Sequence, residues 1–167
     1  MRRLLFLLGV LVTFLALVPS VSHANTTAIR QTQYTCLTDS CARTMTSDVT
    51  FQRSGAYAGQ LYALTTTKNA VMFSGFTGGV FVVMRNADHA VVGVSDLHTF
   101  GVDGTWIGTS VRTDGWMEHI DPQIAAATSY IEIVQTLAPK ERISEILNRI
   151  QQYKAQGCQI VKVLACN

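Results

Sequence analysis

Gly78-Gly79-Val80-Phe81-Val82-Val83-Met84-Arg85 is the stretch on which the fold class turns. Val80 to Met84 are consecutive apolar residues, mostly β-branched, led in by two glycines. Such a run predicts a strand buried on both faces. Short apolar segments follow it, punctuated by Asn86-Ala87-Asp88, Asp103-Gly104, Asp114-Gly115 and Asp121-Pro122. That spacing of strands and turn signals predicts a β-sheet domain.

Working outward, Asn86-Ala87-Asp88 closes a hairpin into His89–Val94. Upstream, Asp48–Gln52, Leu61–Thr65 and Ala70–Phe73 read as strands, with Thr67-Lys68-Asn69 as a turn. Each Asp-Gly pair between strand-like runs favours a two-residue hairpin turn. A turn at Asp103-Gly104 pairs His98 with Thr109 and Asp96 with Val111. A turn at Asp114-Gly115 pairs Val111 with Glu118 and Ser110 with His119. Asp121 as N-cap and Pro122 at the first helical position start a short helix to Ala127. Tyr130–Val134 returns as a strand. A helix over 139–156 carries Ile143, Ile146, Leu147, Ile150 and Tyr153 at helical spacing, with a Glu145–Arg149 pair and Gly157 as its stop. The expected fold is mainly β, an antiparallel β-sandwich or open barrel with one C-terminal amphipathic α-helix, for which α+β is an alternative label.

The start of the chain reads as an address. Met1-Arg2-Arg3 precedes an apolar run of 15 residues, Leu4 to Val18, and then Ser22-His23-Ala24. This is the pattern of a secretory signal peptide over 1–24, too short to span a bilayer. Residues 25–35 read as a flexible lead-in, with a sequon at Asn25-Thr26-Thr27. Residues 36–167 read as a single domain. Taking Arg2 and Arg3 from the 13 basic residues leaves 11, matched by 11 acidic ones. With no basic cluster, the composition speaks against a nucleic-acid partner. The expected location is extracellular, or periplasmic in a two-membrane bacterium.

Four cysteines, Cys36, Cys41, Cys158 and Cys166, read as two disulfides in an exported chain. Gln159–Ala165 looks like a strand, which would hold Cys158 and Cys166 too far apart to bond each other. On that reading the N-terminal pair bonds the C-terminal pair; if the segment loops, both bridges are local. The spacings lack the close cysteine pairs of a zinc site. No metal or cofactor is expected.

Asp96-Leu97-His98 puts a carboxylate and an imidazole on one face of a strand, and the hairpin register adds Glu118 to that face. These three are the candidate catalytic residues. Ser110 opposite His119 is a weaker nucleophile–base pair with no third group to orient the histidine. Trp106 and Trp116, with Tyr57 and Tyr62, are candidates for a stacking surface for a sugar or peptide. No motif carries a resemblance to a known family. Two functions fit: a secreted binding module for a protein or glycan, or a small extracellular hydrolase built on Asp96, His98 and Glu118.

Overall fold

A computed structural model describes residues 28–161. In chain order these form β1 (Ala28–Cys36), β2 (Arg43–Gln52), β3 (Gln60–Asn69), β4 (Phe76–Arg85), β5 (Val91–Val94), β6 (His98–Val102), β7 (Ser110–His119), α1 (Pro122–Ala127), β8 (Tyr130–Leu137) and α2 (Lys140–Val161). Strands β1-β2-β3-β7 make one antiparallel sheet. The second is built on β4, which pairs with β8 on one side and shares its other edge between β6 and β5. The protein is mainly β with a C-terminal helix, and two separate sheets make it a sandwich rather than a barrel.

The burial of β4 follows from its place between two layers. Val80, Val82 and Met84 point into the core shared with the first sheet, beside Met45, Phe51, Leu61 and Phe100. Phe81 and Val83 point the other way, against Ile150 of α2 with Ile146 and Tyr153. Helix α2 is therefore a third layer, and its apolar stripe is spent on the sheet. Asp121 caps α1 as expected, its carboxylate accepting from the Gln123 amide at 2.7 Å.

Several expectations fail, each for a tertiary reason. Where a loose lead-in is expected, Ala28–Cys36 form an edge strand whose Ile29, Gln31, Gln33 and Thr35 turn inward. Strand β3 runs through the expected turn to Asn69, paired to Ser110, and Ala70–Phe73 is loop. Neither Asp-Gly hairpin forms. Asp114 and Gly115 sit inside β7, facing Thr65 and Leu64 of β3 along one unbroken ladder. Strand β6 pairs with β4 and not with the chain after Gly104. Ser110 and His119 are thus the two ends of one strand, not a cross-strand pair.

Helix α2 also passes through Gly157 rather than stopping there. A Cβ on Gly157 would lie 2.6 Å from the Val92 carbonyl oxygen, so the glycine lets the helix touch the β5 backbone. The helix takes up Gln159 to Val161, where a strand is expected. Arg149 rests 5.9 Å above the Tyr153 ring, and among the described residues no ion pair joins it to Glu145. Cys36 bonds Cys41, so the expected cross-link between the chain ends does not form. Cys158 is disulfide-bonded as well. The expected signal peptide, the sequon and Cys166 lie outside the described residues.

Candidate functional site

Two places hold the residues singled out from the sequence. The first is the seam where the β7 edge of one sheet meets the β5–β6 junction of the other. Ser95 makes that junction. Its amide donates to the Val82 carbonyl, and its buried hydroxyl accepts from the Val82 amide at 2.8 Å. Residues 95–97 leave the strand, with Asp96 exposed, and pairing to β4 resumes at His98 opposite Val80.

Glu118 lies beside His98 and the Asp96 backbone, while the Asp96 carboxylate points elsewhere. Both Glu118 oxygens accept from the Asp96 amide, at 3.2 and 3.1 Å. His98 Nε2 stands 3.6 Å from Glu118 Oε2, beyond hydrogen-bond length. Lys154 of α2 donates to the Asp96 carboxylate at 2.8 Å. Burial pushes the Glu118 carboxyl above its ordinary range; the Asp96 amide pulls it back, the Asp96 charge raises it again, and His98 lowers it.

Trp116 belongs to this seam and not to a binding surface. It is buried, and its indole stacks on His98 with ring centroids 4.0 Å apart and planes 18° apart. The chain of contacts runs from Lys154 through Asp96 and Glu118 to His98 and Trp116, so it ties α2 to the first sheet. No serine, threonine or cysteine nucleophile is bonded to His98 among the described residues; the nearby Ser95 hydroxyl is engaged by backbone. Among the described residues, no three His, Cys, Asp or Glu side chains converge to hold a metal.

The second place is the end of the sandwich where the β3–β4 and β6–β7 loops emerge together. Met72, Phe73, Trp106 and Ile107 are between 61% and 83% exposed there. Phe73 and Trp106 meet edge to face, with centroids 5.0 Å apart. Met72 and Ile107 are the chain neighbours of this ring pair, so two adjoining loops together present four large exposed apolar residues.

The sequence around these loops explains how they are joined. Asn69, the last residue of β3, is fully buried. Its side-chain amide donates to the Ser74 carbonyl at 2.8 Å and the Asp103 carbonyl at 3.1 Å, one in each loop. Its oxygen accepts from the Val71 amide at 3.0 Å. Thr105 completes the join: its carbonyl accepts from the Phe73 amide, and its amide donates to the Val71 carbonyl. A Cβ on Gly104 would lie 2.3 Å from the Ser74 nitrogen, so only glycine permits this loop contact. Phe73 holds φ at +59°, a backbone state rare for a bulky side chain. Such strain persists only where the surroundings enforce it.

Of the two tryptophans, Trp106 is thus the exposed one. Tyr57 and Tyr62 are exposed as well, but they lie toward the opposite end of the first sheet, so the four rings do not make one surface. Sequence reasoning missed Met72, Phe73 and Ile107; glycines at 75 and 104 in the two flanking segments were the available signal. Elsewhere, a groove of about 430 Å³ opens between α2 and the end of β8, lined in part by Arg142, Arg149 and Glu145. Among the described residues, no helix is long and apolar enough to cross a membrane.

No family model matches the chain, and neither a curated protein nor a solved structure is similar to it.

Proposed function

We propose that the chain is an exported binding module that meets its partner through the tip formed by Met72, Phe73, Trp106 and Ile107. The observation that carries this reading is the exposure of all four on loops locked together by Asn69, Thr105 and Gly104. A protein gains nothing in stability by holding a tryptophan and a phenylalanine in water. Rigid aromatic anchors give a partner large contact area with little conformational entropy to lose. The leader pattern over 1–24 and the Cys36–Cys41 disulfide support an oxidising destination outside the cytoplasm.

The test works before the partner has been identified. Fluorescently labelled protein is applied to intact cells of the source, and bound signal is read against concentration. Saturable binding that is lost in Phe73→Ser and Trp106→Ser, with their circular dichroism unchanged, is the expected result. Equal binding by wild type and both variants would remove the tip from consideration.

A hydrolase built on Asp96, His98 and Glu118 is the second reading, favoured by one observation: a carboxyl with a raised pKa beside an imidazole. Against it stand the Lys154 grip on Asp96 and the engagement of the Ser95 hydroxyl by backbone, which leaves His98 no nucleophile there. Hydrolysis of ester or glycoside reporter substrates, abolished by Glu118→Gln, would revive it.

A further inference from the structure

We infer that His98 and Glu118 form a proton-operated latch across the seam between β6 and β7, and that one proton taken up by the pair fastens the two sheets there. The latch involves none of the tip residues and does not depend on them.

Topology gives the first argument. Strands β6 and β7 belong to different sheets, and among the described residues no ladder of backbone hydrogen bonds joins them. Side chains close this edge instead. Glu118 accepts from the Asp96 amide, Trp116 stacks on His98, and Arg112 donates to the Gly101 carbonyl at 3.2 Å. A change of charge within so small a set acts on the join itself.

The second argument is an unmade bond. His98 Nε2 is shielded from solvent and has no hydrogen-bond partner, yet Glu118 Oε2 stands 3.6 Å away. When the neutral ring carries its proton on Nδ1, two acceptors face each other there. One added proton resolves this, because Nε2–H can then donate to Oε2 and the gap closes to hydrogen-bond length. The same proton sets a cation over the Trp116 indole, whose ring centroid is already 4.0 Å from that of His98. Burial raises the Glu118 carboxyl, which makes its carboxylate the better acceptor. The His98 and Glu118 side chains are 29% and 19% exposed, open enough to exchange protons with water and shielded enough for the new bond to be strong.

The neighbouring charges are engaged elsewhere. The Asp96 carboxylate accepts from Lys154 of α2, Asp114 holds Arg112, and Asp121 caps α1. His119 follows Glu118 in β7 and so lies on the other, exposed face. Strands β3 and β4 place Leu61 and Val80 opposite Glu118 and His98. The unfolded chain has no such pair, so the fold binds this proton more tightly. The latch is therefore firm in mildly acidic medium and loosens as pH rises.

The test reads Trp116 in Trp106→Phe, which leaves it as the one tryptophan of the chain. An imidazolium stacked on an indole quenches its emission far more than a neutral imidazole does. On titration from about pH 8 to about pH 4, Trp116 emission should fall in a single transition. His98→Gln should abolish that transition. Glu118→Gln should move its midpoint by roughly one unit toward acid, because the carboxylate no longer helps to hold the proton. In the wild type, carbon-13 signals of the Glu118 carboxyl and nitrogen-15 signals of the His98 ring should change with a common midpoint, and an Nε2-bound proton should appear on the acid side. These spectra decide the matter even where a variant fails to fold. Flat emission, a midpoint unmoved by Glu118→Gln, or carboxyl and ring signals that titrate independently would overturn the inference.

Discussion

Asn69→Ala should loosen the tip and cost the fold several degrees of thermal stability. The substitution removes three hydrogen bonds: two donated by the side-chain amide to Ser74 and Asp103, and one accepted from Val71. The Ser74 carbonyl keeps Arg43 as a second donor, at 3.3 Å. That leaves two backbone groups stranded, the Val71 amide and the Asp103 carbonyl. A buried polar group without a partner costs roughly 1–3 kcal/mol, and loop ends admit some water, so the sum is about 3 kcal/mol. For a chain of this size that corresponds to a fall in Tm of about 6–12 °C. Urea unfolding followed by far-ultraviolet circular dichroism gives the energy. Near-ultraviolet circular dichroism reports the Phe73–Trp106 contact, which should weaken in the folded variant. Asn69→Asp should be worse, because it keeps the acceptor for Val71, loses both donors and buries a charge. A loss under about 1 kcal/mol with the near-ultraviolet signal intact would mean that Asn69 does not hold the loops.

Three other perturbations probe the helix, the seam and the tryptophans. Gly157→Ala should destabilise by about 2 kcal/mol despite alanine's better helix propensity, because the new Cβ meets the Val92 carbonyl backbone; thermal melts decide the sign, and a more stable variant would show that α2 does not depend on this approach. The Glu118 carboxyl is raised by burial, so the folded state holds a proton that the unfolded chain has released. Its contribution is fully present below its ordinary value of 4.5 and is lost as pH rises through the raised folded value. Glu118→Gln should therefore flatten the stability curve on that rising side; an unchanged slope across urea melts at stepped pH would place the dependence elsewhere. Iodide should quench Trp106 and spare Trp116, and Trp106→Phe should abolish the quenchable fraction; quenching that survives this change would put Trp116 in water.

Much of the architecture was legible because it is locally determined. The β4 run announced a strand buried on both faces, and its two burial partners, a sheet and a helix, explain why no polar alternation is needed. Asp121 and Pro122 announced α1 through cap chemistry that acts within one turn. The failures have the opposite character. Asp114-Gly115 is a good turn dipeptide, yet ten consecutive residues of β7 pair with β3 and outweigh it. Strand β1 is made largely of Arg, Gln and Thr, so its hydrophobic alternation is too faint to read before β2 is placed beside it. Gly157 looks like a helix stop until the β5 backbone is seen against it.

The candidate sites divide along the same line. Glu118 stands beside His98 and the Asp96 backbone, but across the seam between two sheets and not through the two hairpins that suggested it, and the Asp96 carboxylate turns away to Lys154. Trp106 was recognisable as a binding candidate by residue type alone. Its neighbours were not, because Met72 and Phe73 sit in a run that reads as a strand. Asn69, bonding forward to two separate loops, and Thr105, paired with Val71 and Phe73, bring them beside it.

Contact through the tip leaves the open outer face of the first sheet uncovered, where Tyr34, Tyr62 and Met117 are also exposed. Hydroxyl-radical footprinting of the protein on intact cells, read by mass spectrometry, separates these two surfaces whatever the partner is. Protection is expected at Met72, Phe73 and Trp106, with Tyr34, Tyr62 and Met117 oxidised as in free protein. Protection of the sheet-face residues with the tip still reactive would contradict a role for the tip.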